Sequence, residues 1–125
     1  MSVIIDSSIW VEYFRTGNNQ EKVDFLIDED LVVTNDLILV ELTPFLKIRK
    51  QKNLIELLNT IRKLTIHINW DQLINLQYLC LQNGLNGVGI PDLIIVQNAL
   101  ENDARIYSLD KHFSGMADFL DVKIF

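Results

Sequence analysis

The sequence predicts an α/β fold, a three-layer α/β/α sandwich on a mainly parallel sheet of about four to five strands, with residues 1–125 as one domain. Three observations predict it. Short β-branched runs alternate with longer segments of helical period, and strands separated by helices pair in parallel with helices on both faces. No repeat, low-complexity stretch or linker interrupts this alternation. Apolar residues make up 49% and charged residues 22% of 125 positions, a globular composition with enough chain to bury a core.

Each element has its own signal. Ser2 to Asp6 (SVIID) reads as a buried strand. Ser7 and Ser8 supply N-cap chemistry for a helix carrying Ile9, Trp10, Tyr13 and Phe14. Past a loop at Gly17 to Asn19, a helix runs from about Gln20 to Asp28, and Leu31 to Val33 forms a second strand. Asn35 or Asp36 caps a helix from Leu37 to about Lys50, with a kink or break expected at Thr43-Pro44. Leu54 to Lys63 is a further helix, and Leu64 to Ile68 a third strand. Trp70 to Asn83 repeats Leu73, Leu76, Leu79 and Cys80 at helical spacing, and Asn83-Gly84 ends it. A Gly-rich loop, Gly84 to Gly89, precedes an apolar helix that Pro91 opens and that runs through Leu100. Arg105 to Leu109 is a fourth strand, Lys111 to Leu120 a last helix, and Val122 to Phe125 a closing strand.

Composition narrows the function. A net charge of −6 argues against affinity that rests on neutralising many phosphates. Against this, Lys47, Arg49, Lys50 and Lys52 crowd one segment, followed by Arg62 and Lys63, although a solvated helix face explains such a run equally well. The longest apolar runs are too short to cross a bilayer, and no basic segment precedes Asp6 to suggest a secretory signal. Cys80 is the only cysteine, which excludes an internal disulfide and fits a reducing cytoplasm. One thiol builds no cysteine zinc site, and His67 and His112 have no triad spacing, so both read as structural or exposed. The loop GLNGVG lacks the lysine of a phosphate-cradling loop and reads as a mobile segment beside Asp92.

Four acids stand in odd places. Asp6 and Asp110 follow strands of one parallel sheet, and therefore share an edge. Asp92 opens an apolar helix, and Glu41 rides a helix where Leu37 to Val40, Leu42, Phe45 and Leu46 leave almost no polar face. Singly, each has an ordinary role as turn former, helix cap or salt-bridge partner. If they converge, mutual repulsion requires a counter-charge, and oxygen ligands suit Mg²⁺ or Mn²⁺ better than zinc. One or two such ions promote phosphodiester hydrolysis.

At these residues the sequence resembles the PIN-domain family, specifically its VapC-type toxins. Four segments carry the resemblance in order: Ile4 to Trp10 (IIDSSIW), Leu39 to Leu42 (LVEL), Gly89 to Ile95 (GIPDLII) and Tyr107 to Phe113 (YSLDKHF). It implies a single PIN-like nuclease domain that binds Mg²⁺ or Mn²⁺ and cuts single-stranded regions of RNA. By this analogy Asp6, Glu41, Asp92 and Asp110 are the catalytic, metal-binding acids. Ser7 reads as support for the first Asp, and Ser8 equally as a helix cap. Some relatives carry another acid where this chain has Val96, which would leave Asp110 more of the metal binding. The resemblance also implies a homodimer and a small antitoxin that covers the acidic site. Trp10, Phe14 and Phe45 are candidates for that contact, with plain core as the competing role.

Two other classes compete with a toxin nuclease. A phosphoacceptor receiver domain would pair acids after the first strand, but Ser7-Ser8 stands there, and His67 to Asn69 offers no acceptor. A non-catalytic interaction module of the same fold would have no reason to keep all four acids.

Overall fold

The computed structural model describes all 125 residues. Five strands form one parallel sheet: β1 (Val3–Ile5), β2 (Val32–Thr34), β3 (Arg62–Lys63), β4 (Arg105–Tyr107) and β5 (Lys123–Ile124). Their order is β3-β2-β1-β4-β5. The helices between them are α1 (Ser7–Arg15), α2 (Gln20–Asp28), α3 (Asp36–Ile48), α4 (Lys52–Thr60), α5 (Trp70–Gln82), α6 (Ile90–Glu101) and α7 (Lys111–Ala117). The chain builds outward from β1 on one side and then crosses to the other. Parallel neighbours need crossover connections, and the helices between the strands supply them.

The centre explains why β1 reads as an unbroken hydrophobic run. Val3, Ile4 and Ile5 are all fully buried, because a middle strand of a parallel sheet is covered on both faces. Around it lies one core that includes Trp10, Leu26, Ile38, Leu42, Leu93, Ile95, Ile106 and Phe113. Cys80 is buried on the inner side of α5, where burial pushes its thiol pKa up.

A buried amide pair joins α3 to α6. Asn35 Oδ1 accepts from the Ile38 backbone N–H and so caps α3, while Asn35 Nδ2 donates to Asn98 Oδ1 at 3.0 Å. Asn98 Nδ2 in turn donates to the Thr65 carbonyl. Every polar atom in this chain of amides has a partner, which is what permits its burial.

Several expectations need correction. The third strand is Arg62–Lys63, not Leu64 to Ile68. Leu64 still donates to the Thr34 carbonyl at 2.7 Å, but Asn98 then takes the Thr65 carbonyl and draws the chain out of the ladder. α3 runs continuously through Pro44. The carbonyl that loses its donor there belongs to Val40, on the exposed side of the helix where water replaces the bond. The 84–89 loop is anchored: Val88 is buried, its carbonyl accepts from Gln77 Nε2, and Leu85 packs on Gly115.

Candidate functional site

The carboxyl ends of β1 and β4 meet where the strand order reverses, the position at which open α/β sheets place their ligands. Asp6 follows β1 there and Ser108 follows β4. Asp6 occupies the N-cap position of α1, yet its side chain makes no cap bond. Its Oδ2 instead accepts from Ser8 Oγ and from Ser108 Oγ, both at 2.8 Å. Each hydroxyl has one proton and gives it to Asp6, so the 3.3 Å approach of the two oxygens is a contact and not a third bond. The same oxygens accept backbone N–H groups, Ser8 from Leu109 and Ser108 from Asp110. Asp6 is 7% exposed and its Oδ1 makes no hydrogen bond.

Ser8, not Ser7, reaches Asp6, and the Ser7 side chain makes no hydrogen bond. A step of one residue turns the helix by about 100°, so only one of two adjacent serines can point back at the preceding strand end. Ser108 escaped notice altogether, although it lies inside the YSLDKHF segment. Its partner Asp6 is 102 residues away, and no local pattern encodes such a pairing.

Asp110 caps α7 by accepting from the His112 backbone N–H at 2.9 Å. Asp92 lies in the first turn of α6. His112 stands between them, with Nδ1 3.3 Å from Asp110 Oδ1 and 3.9 Å from Asp92 Oδ2. That nitrogen is buried and has no hydrogen-bond partner. The structure therefore places His112 at the acidic edge, partly buried and beside two of the acids. The missed signal is its position two residues after Asp110, where a cap residue's own geometry brings it to the edge. Gly87 beside the ring adopts φ +78°, a left-handed conformation that glycine accepts without strain.

Glu41 completes the set from α3, but not as a buried charge on an all-apolar helix. It is exposed, and so are Val40, Phe45 and Ile48 on the same helix, while Ile38, Leu42 and Leu46 face the core. Partial burial, together with the charges of Asp6 and Asp92, raises the Glu41 pKa. Burial is also the largest cause for Asp92, followed by the charges of Asp110 and Asp6, while His112 and the Gly89 backbone pull it down. Asp6, Glu41, Asp92 and Asp110 thus feel one another from four separate elements. Two of the four carry a carboxyl held above its ordinary range, and no lysine or arginine pairs with any of them.

This arrangement fits a divalent cation. One ligand atom each from Asp92, Asp110 and His112 lies within 4.8 Å of the others. Oxygen donors predominate, which favours hard cations, and a positive ion would relieve the repulsion among the acids.

Aromatic residues divide between roles. Trp10 is fully buried and stacks on Phe14 at 5.6 Å, which is core. Phe45 is 37% exposed, with the Arg49 guanidinium 4.5 Å from its ring centre. No helix is long and apolar enough to cross a membrane.

Comparison with known proteins agrees with this picture. The family model of the PIN domain matches residues 3–118. No curated protein matches the sequence. Among solved structures, the chain is similar to one in VapBC2 from Rickettsia felis bound to a DNA fragment from its promoter. That match has a TM-score of 0.79 and 16% identity, covering 100% of this chain and 98% of that one. A chain of VapBC-1 from nontypeable Haemophilus influenzae matches at 0.73 with 18% identity, over 100% and 97%. VapC20 of Mycobacterium tuberculosis, a toxin that cleaves the sarcin-ricin loop, matches at 0.63 with 18% identity, over 97% and 98%. At these identities the likeness is one of fold.

Proposed function

The chain belongs to the PIN domain family, and on that premise we propose that it is a metal-dependent endoribonuclease that cuts single-stranded regions of RNA. The observation that supports the reading is Asp92 and Asp110, with His112, within 4.8 Å of one another at the sheet's switch point, where the charges of Asp6 and Glu41 also bear on the site. Asp6, Glu41, Asp92 and Asp110 are the metal-binding and catalytic acids of this proposal. Mg²⁺ or Mn²⁺ is the ion that the oxygen donors select. When bound, such an ion supplies Lewis acidity toward water and toward the charge on a transferring phosphoryl group.

The protein's own groups do the rest. Ser8 and Ser108 hold Asp6 Oδ2, which fixes the carboxylate and leaves Oδ1 for the cation. His112 flanks Asp110 and Asp92 and limits their freedom to turn away. Glu41, exposed on α3 beside Asp6 and Asp92, accepts the proton of the attacking water. The water oxygen bonds to phosphorus as the bond to one ribose oxygen breaks, and that oxygen takes up a proton from solvent.

The biological role we propose is the toxin of a toxin–antitoxin pair in the cytoplasm. VapBC assemblies among the structural neighbours support an antitoxin partner, and a small protein covering the acidic edge would silence it. A homodimer fits the outer face of α5, where Trp70, Ile74, Tyr78 and Leu81 are each more than half exposed. The deciding experiment incubates a mixed pool of structured RNAs with Mn²⁺ or Mg²⁺ against EDTA, comparing wild type with Asp92→Asn. Metal-dependent cutting that disappears in the variant supports the proposal. No cutting and no metal binding would favour a PIN-fold module that only binds a partner.

A further inference from the structure

We infer that the groove between α1 and α3 is the path of the RNA strand leading away from the acidic edge, with Arg15 and Arg49 binding its phosphates and Phe45 stacking against a base. The inference rests on the nuclease reading for its substrate and goes beyond it in assigning residues that hold the strand. The groove has a volume of about 430 Å³ and is lined by Val11, Arg15, Glu41, Leu42, Phe45 and Arg49. Glu41 belongs both to this groove and to the acid cluster, so the two are continuous. α1 starts beside Asp6, and Arg49, the C-cap of α3, follows Glu41 by eight residues, roughly 12 Å along a helix axis. The groove therefore leads away from the candidate metal site toward the basic segment Lys47, Arg49, Lys50 and Lys52, all exposed.

Charge decides which polymer suits it. A chain of net charge −6 repels nucleic acid over most of its surface, so the local balance matters. Here two arginines stand against one glutamate, and neither arginine pairs with a carboxylate. The large polar groove near α2 has the opposite balance, with Glu12, Glu21 and Asp24 against Lys22. The apolar groove along α5 has no charged residue. Arg49 already lies over the Phe45 ring, which leaves a flat cationic and aromatic pair at the surface. A positive groove with an aromatic platform is how proteins hold single strands without reading sequence.

The test uses anisotropy of a short fluorescein-labelled single-stranded RNA in EDTA, over a series of salt concentrations. The double variant Arg15→Gln/Arg49→Gln should bind about tenfold more weakly at low salt. Its slope of log affinity against log salt should fall by about 1.4, at roughly 0.7 per phosphate contact on a single strand. Arg15→Lys/Arg49→Lys should keep most of the slope, and Phe45→Ala should weaken binding roughly fivefold or more. Lys123→Gln, which changes the net charge elsewhere, should change the slope least. An unchanged slope in the arginine double variant, or no RNA binding by wild type, overturns the inference. So does loss of binding to an acidic peptide with RNA binding intact, which would make the groove a peptide site. Because binding is read without metal, RNA held by these residues but never cut would refute only the nuclease reading.

Discussion

The acidic edge has two halves built on different principles. Around Asp6 everything is closed: the carboxylate is buried, two hydroxyls hold one of its oxygens, and those hydroxyls are themselves held by backbone N–H groups of the 108–110 turn. Around Glu41 and Asp92 the carboxyls are more open, and burial followed by the charges of neighbouring acids raises their pKa values. The first half is a fixed carboxylate whose geometry is settled by folding. The second is a set of charges in conflict, which only a cation or protons relieve. In the proposed nuclease such a site separates position from affinity, since one side would set where the ion sits and the other would supply the electrostatic need for it.

The largest effect should come from the open half. Asp92→Asn removes a carboxylate with three charged neighbours and should reduce RNA cleavage to background with the fold intact, as checked by circular dichroism. On the closed half, Ser108→Ala leaves Asp6 short of a donor in a buried setting. It should cost about 1–3 kcal/mol of stability in denaturant titrations and roughly 10–100-fold in metal affinity. Glu41→Gln should do the reverse to stability. Without metal it relieves repulsion and raises the Tm, while metal affinity falls. A lower Tm in metal-free Glu41→Gln would show that the conflict between the acids is not real.

The pH dependence follows from the same contrast. Glu41 and Asp92 have folded-state pKa values above their unfolded ones. Their contribution to metal-free stability is fully present below the unfolded carboxylate range and is lost as pH rises through the raised values. Metal affinity should run the other way, increasing across that window as both groups lose their protons. Calorimetric titration with Mn²⁺ at several pH values measures this directly. The smallest effect belongs to Ser7→Ala, expected within about 0.5 kcal/mol of wild type and with unchanged cleavage, because its side chain reaches nothing.

The two halves also differ in how far the sequence revealed them. Asp6, Asp92 and Asp110 were legible because a polar residue at the end of a buried strand or the start of an apolar helix breaks a local pattern. The sheet was legible for the same reason, with β1 marked by three consecutive buried residues. Glu41 was legible for a wrong reason, since α3 leaves Val40, Phe45 and Ile48 in solvent and its apolar composition does not equal burial. The network around Asp6 was not legible, because Ser8 and Ser108 come together only after β1 and β4 pair. β3 was placed too late, beginning two residues and ending five residues past the observed strand, since its end is set by the amide of Asn98, 33 positions from Thr65. Local chemistry is written in the chain, whereas pairings between distant segments emerge from topology.

α5 carries one more lesson, in its two unlike faces. Its inner face hides Cys80, and its outer face exposes Trp70, Ile74, Tyr78 and Leu81. The lone thiol is out of reach of any reagent while the helix stays docked, and burial also keeps it protonated. Its rate of labelling therefore measures how often α5 swings away from the core, and the indole on the other face changes emission when something settles there. The helix is equipped with a clock on one side and a lamp on the other, so its opening and its covering can be timed in the same cuvette.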